Sequence, residues 1–181
     1  MKILVFTEGT ILMHQDGKDL DREDRVRQSH KAGIQREERW QKFGKDVEYT
    51  TPTGSVHDYA NYIPINKDVQ KLTEWKNQGA IILYLTSRRI GKEIKEIKNV
   101  LERYNFPDSQ NLYFRKEGED YKDVAEKIKP DILVEDDCES IGGEKEMTYP
   151  HIRSDLRNKI KSVIVKEFEG IDKLPDNIYE F

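Results

Sequence analysis

The sequence predicts an α/β protein: a parallel sheet with helices on both faces, plus a small, partly helical insertion after the first strand. Three observations carry this expectation. Five short apolar runs are continuous rather than alternating, which suits parallel strands buried on both faces. Amphipathic helical patterns lie between the later runs, and alternating strands and helices go with parallel pairing. A polar stretch, residues 11–65, separates the first run from the first clear helix and is too long for an ordinary loop in a compact domain. The expected layout is a three-layer, Rossmann-like core formed by residues 1–10 and 63–181, with a cap-like insertion at 11–62.

In chain order, the strand runs are residues 3–6, 80–85, 112–114, 132–134 and 162–165. Val69, Leu72 and Trp75 share one face of a helix that stops before Gly79. Ile90, Ile94, Ile97, Leu101 and Tyr104 step at helical spacing, and Pro107 closes that segment. Tyr121, Val124, Ala125 and Ile128 do the same before Pro130. The insertion is expected to be helical around residues 21–43. Its residues 22–45 carry Arg22, Arg25, Arg27, Lys31, Arg36, Arg39, Lys42 and Lys45, against Glu23, Asp24, Glu37 and Glu38, with Asp46 just outside. A solvated helix face of mixed charge explains this pattern more simply than a dedicated anion patch. Trp40 is expected to fill the cap and Trp75 the helix–sheet interface.

Composition narrows the function classes. Charged residues make up 36% and apolar residues 35%, yet 31 basic and 35 acidic side chains nearly cancel. The net charge of −4 gives no global pull toward nucleic acid. The longest apolar run, residues 80–85, is far short of the roughly 20 residues needed to cross a bilayer. One cysteine, Cys138, excludes an intrachain disulfide and a cysteine-based zinc cluster. The N-terminal apolar segment reads as a strand, not a secretory signal, so a cytoplasmic location is expected.

Ligands of an open α/β sheet bind beyond the carboxyl ends of its strands. Thr7, Glu8, Gly9 and Thr10 follow the first strand; Thr86, Ser87, Arg88 and Arg89 follow the second. Lys116 and Lys122 lie between the third and fourth, and Glu135, Asp136 and Asp137 close the fourth. Clustered carboxylates call for a cation, and oxygen-only ligands suit Mg2+. Hydroxyls, arginines and lysines suit phosphate oxygens. The combination reads as a Mg2+ and phosphate site. Each residue also has a plainer reading. Glu8 would cap a turn, Thr86 or Ser87 a helix. Arg88, Lys116 and Lys122 would be solvated, and His14 a surface histidine. Cys138 follows three acids, which should raise its thiol pKa, and it reads as structural.

These residues resemble the haloacid dehalogenase superfamily, most of whose members are Mg2+-dependent phosphotransferases. The similarity covers roughly residues 1–10 and 63–143. The stretch from Ile63 to Arg88 resembles the segment ending in the family's second motif, with Thr86 as the hydroxyl that binds the transferred phosphoryl group. Leu133-Val134-Glu135-Asp136 resembles the fourth motif, whose acids hold Mg2+. Lys122, or else Lys116, would be the third-motif lysine. The first motif departs from the pattern. Where the family has Asp-x-Asp-Gly-Thr, this chain has Phe6-Thr7-Glu8-Gly9-Thr10. The resemblance implies Glu8 and Lys122 as catalytic groups. It implies Gly9, Thr10, Thr86, Ser87, Arg88 and Lys116 around phosphate, and Glu8, Glu135, Asp136 and Asp137 around Mg2+. Phe6 replaces the nucleophile, and losing such a group typically costs several orders of magnitude in rate.

Three functions follow, in order of expectation. The first is a binding or regulatory protein that keeps a pocket for Mg2+ or a phosphorylated small molecule but not the usual catalysis. The second is a phosphohydrolase that uses Glu8 and a metal-activated water. The third is a nucleic-acid-associated factor that uses the basic cap.

Overall fold

The computed structural model describes residues 1–32 and 51–181. Along the chain, β1 (Lys2–Phe6) is followed by β2 (Leu12–Met13), α1 (Arg22–Ala32), β3 (Ile63–Pro64) and α2 (Asp68–Asn77). Then come β4 (Ile81–Leu85), α3 (Gly91–Arg103), β5 (Leu112–Tyr113), α4 (Tyr121–Ile128), β6 (Ile132–Asp136), α5 (Ser154–Arg157) and β7 (Lys161–Val165). Five strands form one parallel sheet in the order β5-β4-β1-β6-β7. The fold is α/β and Rossmann-like, as the apolar runs predict.

Alternation along the strands builds the two faces. Ile3, Val5, Ile82, Tyr84, Ile132 and Val134 pack with α2 and α3 through Leu72, Trp75, Ile97, Val100 and Leu101. Leu4, Leu83, Leu85 and Leu133 point the other way, onto Tyr121, Val124 and Ala125 of α4 and onto Ile152 and Ile160. Because β1 is the middle strand, its carboxyl end opens at the centre of one sheet edge. Helix ends follow local chemistry. Asp120 and Asp123 form a capping box at the start of α4. Lys129 ends it in the left-handed region, just ahead of Pro130.

The insertion is tied into the core at both ends. Ile11 and Leu12 are fully buried in the main cluster, with Val56, Tyr59 and Tyr62. β2 pairs antiparallel with β3, Leu12 opposite Pro64 and Met13 opposite Ile63. α1 lies over the loop after β6, where Ser29 and Ser140 share a hydroxyl hydrogen bond of 3.1 Å. His30 Nδ1 is 2.9 Å from the Ser140 carbonyl. Arg25 donates to the Phe168 carbonyl at 3.4 Å. Arg36, Arg39, Trp40, Lys42, Lys45 and the second half of the expected helical stretch lie outside the described residues. Among the described residues, no helix is long and apolar enough to cross a membrane.

Candidate functional site

The carboxyl end of β1 turns tightly. Ile11 N and Leu12 N both donate to the Thr7 carbonyl, and Gly9 sits at φ +81. This turn aims the Glu8 side chain at the end of β4, where four groups meet it. Thr86 Oγ1 donates to Glu8 Oε1 at 2.5 Å. Thr7 Oγ1 and Ser87 N donate to Glu8 Oε2 at 2.6 and 3.1 Å. Arg88 Nε lies 3.5 Å from Glu8 Oε1. Arg88 is not solvated: it is 1% exposed. Its guanidinium donates to Ser87 Oγ and Tyr59 Oη and sits 4.5 Å from the centre of the Tyr59 ring. Thr86, Ser87 and Arg88, expected around phosphate, are therefore engaged with Glu8 and with one another.

Phe6, at the end of β1, packs edge-on against Tyr121, 5.3 Å between ring centres. Arg115 stacks on the other ring contact of this group: its guanidinium carbon is 3.6 Å from the Tyr121 ring centre. Arg115 Nη2 donates to Tyr121 Oη at 2.7 Å. Two aromatic rings and a buried cation thus stand where a carboxylate nucleophile would need open approach.

The acids at the end of β6 diverge. Residues along a strand alternate sides, so Glu135 and Asp136 point apart. Glu135 accepts from Thr148 N and Tyr149 N at 2.7 and 2.9 Å. Burial is the main cause that lifts its pKa to about 7. Asp136 accepts from Thr10 Oγ1 at 2.7 Å and Cys138 N at 2.9 Å. Asp137 accepts from Glu167 N at 3.0 Å. Glu167 accepts from Ser140 through both its backbone N and its hydroxyl, each at 2.7 Å. Burial raises the carboxyl pKa of both Asp136 and Glu167. A Cβ on Gly9 would lie 3.0 Å from Asp136 Oδ2 and 3.3 Å from Glu167 Cγ, so glycine lets the turn settle on these carboxyls.

Among the described residues, no three His, Cys, Asp or Glu side chains are placed to share a metal ion. The donor set expected for Mg2+ is split by these hydrogen bonds. Glu8 faces β4, Glu135 faces the 148–149 backbone, and Asp137 holds the Glu167 amide. The residues do not fit the ion as a group.

The chain matches no family model and no curated relative.

Beside the stacked rings opens a cavity of about 460 Å³. The loop before α4 forms one wall and residues 145–151 the other, with Arg89, Lys122, Lys145 and His151 among the lining. Three acids line it too, Glu119, Asp120 and Glu146, and each is engaged. Glu119 pairs with Lys127 and accepts from Lys116 N. Asp120 caps α4 and lies 4.0 Å from Arg115. Lys122 and Lys145 make no ion pair among the described residues. Lys116, the other third-motif candidate, lines a different groove.

The expectation for His14 is corrected, and that for Cys138 holds in direction. His14 is buried, not at the surface: its Nε2 lies 2.6 Å from Gln28 Oε1 of α1, and burial lowers its pKa. The Cys138 thiol is indeed raised, but by burial first and by the acids second. Two important groups carried a signal in the sequence. Arg115 directly follows the third apolar run and Glu167 lies just past the fifth. Both occupy strand ends by the same rule that singled out Glu8 and Asp136.

Proposed function

We propose that this chain is a ligand-binding member of the haloacid dehalogenase scaffold that does not carry out the superfamily's phosphoryl transfer. The observation that carries the reading is the closed network around Glu8. A general acid or base must reach its substrate within hydrogen-bond distance. Glu8 is instead held by Thr86, Thr7, Ser87 and Arg88. Phe6 has no lone pair with which to attack phosphorus. The ligand in this reading is a phosphorylated small molecule in the cavity beside the stacked rings. Lys122 and Lys145 offer it charge without an internal partner, and a few hundred Å³ is the ordinary size of a small-molecule pocket. The half-buried free thiol of Cys138 fits a cytoplasmic setting.

The test has two arms. The purified protein is assayed with Mg2+ against a panel of phosphomonoesters, beside Glu8→Gln. No turnover above background is expected from either. Mg2+-dependent turnover lost in Glu8→Gln would overturn the reading in favour of a phosphohydrolase using Glu8. In the second arm, calorimetric titration with pyrophosphate should show binding that Lys122→Ala and Lys145→Ala each weaken.

A further inference from the structure

We propose that the β5 edge of the sheet is a docking surface for an acidic, extended peptide segment of a partner protein, independent of any ligand in the cavity. The first support is where the exposed apolar surface lies. Among the described residues, six large apolar side chains are exposed, and three of them (Ile81, Tyr113 and Phe114) line one groove beside this edge. β4 carries Ile81 and pairs with β5 through Leu85 and Tyr113. Scattered apolar residues need no explanation, but a gathered patch does.

The patch has depth. A groove of about 470 Å³ runs between β4, β5 and α4, with Ile81, Leu83, Val124 and Ile128 along it and Tyr113 and Phe114 at its outer wall. It exists because α4 packs on the sheet through Val124 and Ala125, toward β1 and β4, and leaves the outermost strand uncovered. β5 is the last strand in the sheet order, so its outer side faces no strand among the described residues. β5 is only two residues long, so an added segment gains few main-chain hydrogen bonds there and the side-chain groove carries most of its affinity and specificity.

Charge decides the occupant. Lys2, Lys116 and Lys127 rim the groove against one acid, Glu119, which is already paired with Lys127. Lys2 and Lys116 make no ion pair among the described residues; the Lys2 ammonium donates only to the Ile128 carbonyl, at 3.3 Å. The chain as a whole carries −4, so a basic rim is a local reversal. A second copy docked edge to edge would set these lysines against their own kind, and like charges across an interface are unfavourable. An extended segment with Asp or Glu flanking one or two apolar anchors meets both the rim and the groove.

Two labelled peptide libraries test this, each about six residues long, the length of an ordinary strand. One mixes Asp and Glu with Leu, Val and Phe; the other replaces the acids with Lys. The acidic library should bind, protect the backbone amides of residues 111–116 from exchange, and weaken with salt. Lys2→Glu with Lys116→Glu should reduce binding at least about tenfold. Phe114→Ser, at an exposed position, should reduce it with the fold intact by circular dichroism. Equal binding of both libraries, or none, would overturn the proposal. So would a dimer in sedimentation that Phe114→Ser dissociates, which would make a second copy the occupant. Loss of pyrophosphate binding in the cavity leaves these outcomes unchanged, so the two readings fail separately.

Discussion

At the scale of single residues, Glu8 and Arg88 hold each other in a place where neither has much water. Removing Glu8 takes the acceptor from Thr86 Oγ1, Thr7 Oγ1 and Ser87 N, and leaving such buried donors unsatisfied typically costs about 1–3 kcal/mol. Glu8→Ala should therefore destabilise the protein by about that much in urea unfolding, rather than act only on an activity. Placing an aspartate at position 6, as in the superfamily that the sequence resembles, should not create that superfamily's chemistry. Phe6→Asp places a carboxylate against Tyr121 and the apolar cluster of α4. The expected result is a lower Tm, and no gain in Mg2+ affinity by calorimetry, because Glu8, Glu135 and Asp137 keep their present partners. A Phe6→Asp protein that binds Mg2+ tightly and hydrolyses phosphomonoesters would show that the site needs only its nucleophile.

At the scale of elements, α1 differs from the sheet it covers. Ser29 is its one buried residue among those described, and side-chain hydrogen bonds to residues 140 and 168 hold it down. Segments with few buried apolar contacts open at low free energy. Amide exchange in residues 22–32 should be faster than in β1 and β6, and Ser140→Ala should widen the gap by removing contacts to both Ser29 and Glu167. The five parallel strands were legible because burial on both faces writes a continuous apolar run. The pairing of β2 with β3 was not, because each is two residues long, below any periodicity. The short apolar stretch 11–13 therefore reads as part of the polar insertion, although Ile11 and Leu12 lie in the main core. The third apolar run extends one residue past the paired strand, where Phe114 is exposed. The site was legible only to the level of strand ends. Topology brings Glu8, Thr86 and Asp136 to one edge. Where each side chain turns depends on partners distant in sequence, such as Tyr59 on Arg88, Thr148 on Glu135 and Ser140 on Glu167.

For the molecule as a whole, buried carboxyls set the response to pH. Asp68 is fully buried, accepts from Ile171 N at 2.9 Å, and is pushed by burial from its ordinary 3.8 up to about 8. Glu135 rises from 4.5 to about 7, and burial raises Asp136 and Glu167 as well. Each of these groups binds its proton more tightly in the folded chain than in the unfolded one. Its contribution is fully present below the unfolded value, near pH 4, and is lost as pH rises through the folded value. His14 works the other way: burial favours its neutral form, so its cost falls on the acid side of 6.5. Four carboxyls against one imidazole make the net slope negative between about pH 5 and pH 8. Tm should fall across that interval, whereas a protein stabilised by ionised, paired carboxylates gains stability over the lower part of it. Asp68→Asn, neutral at every pH, should lie close to the parent at pH 5 and above it at pH 8, with a shallower slope. A parent Tm that rises steadily from pH 5 to 8 would mean that these carboxyls are ionised in the folded chain, and so that a cation or a solvent path neutralises the cluster beneath Gly9.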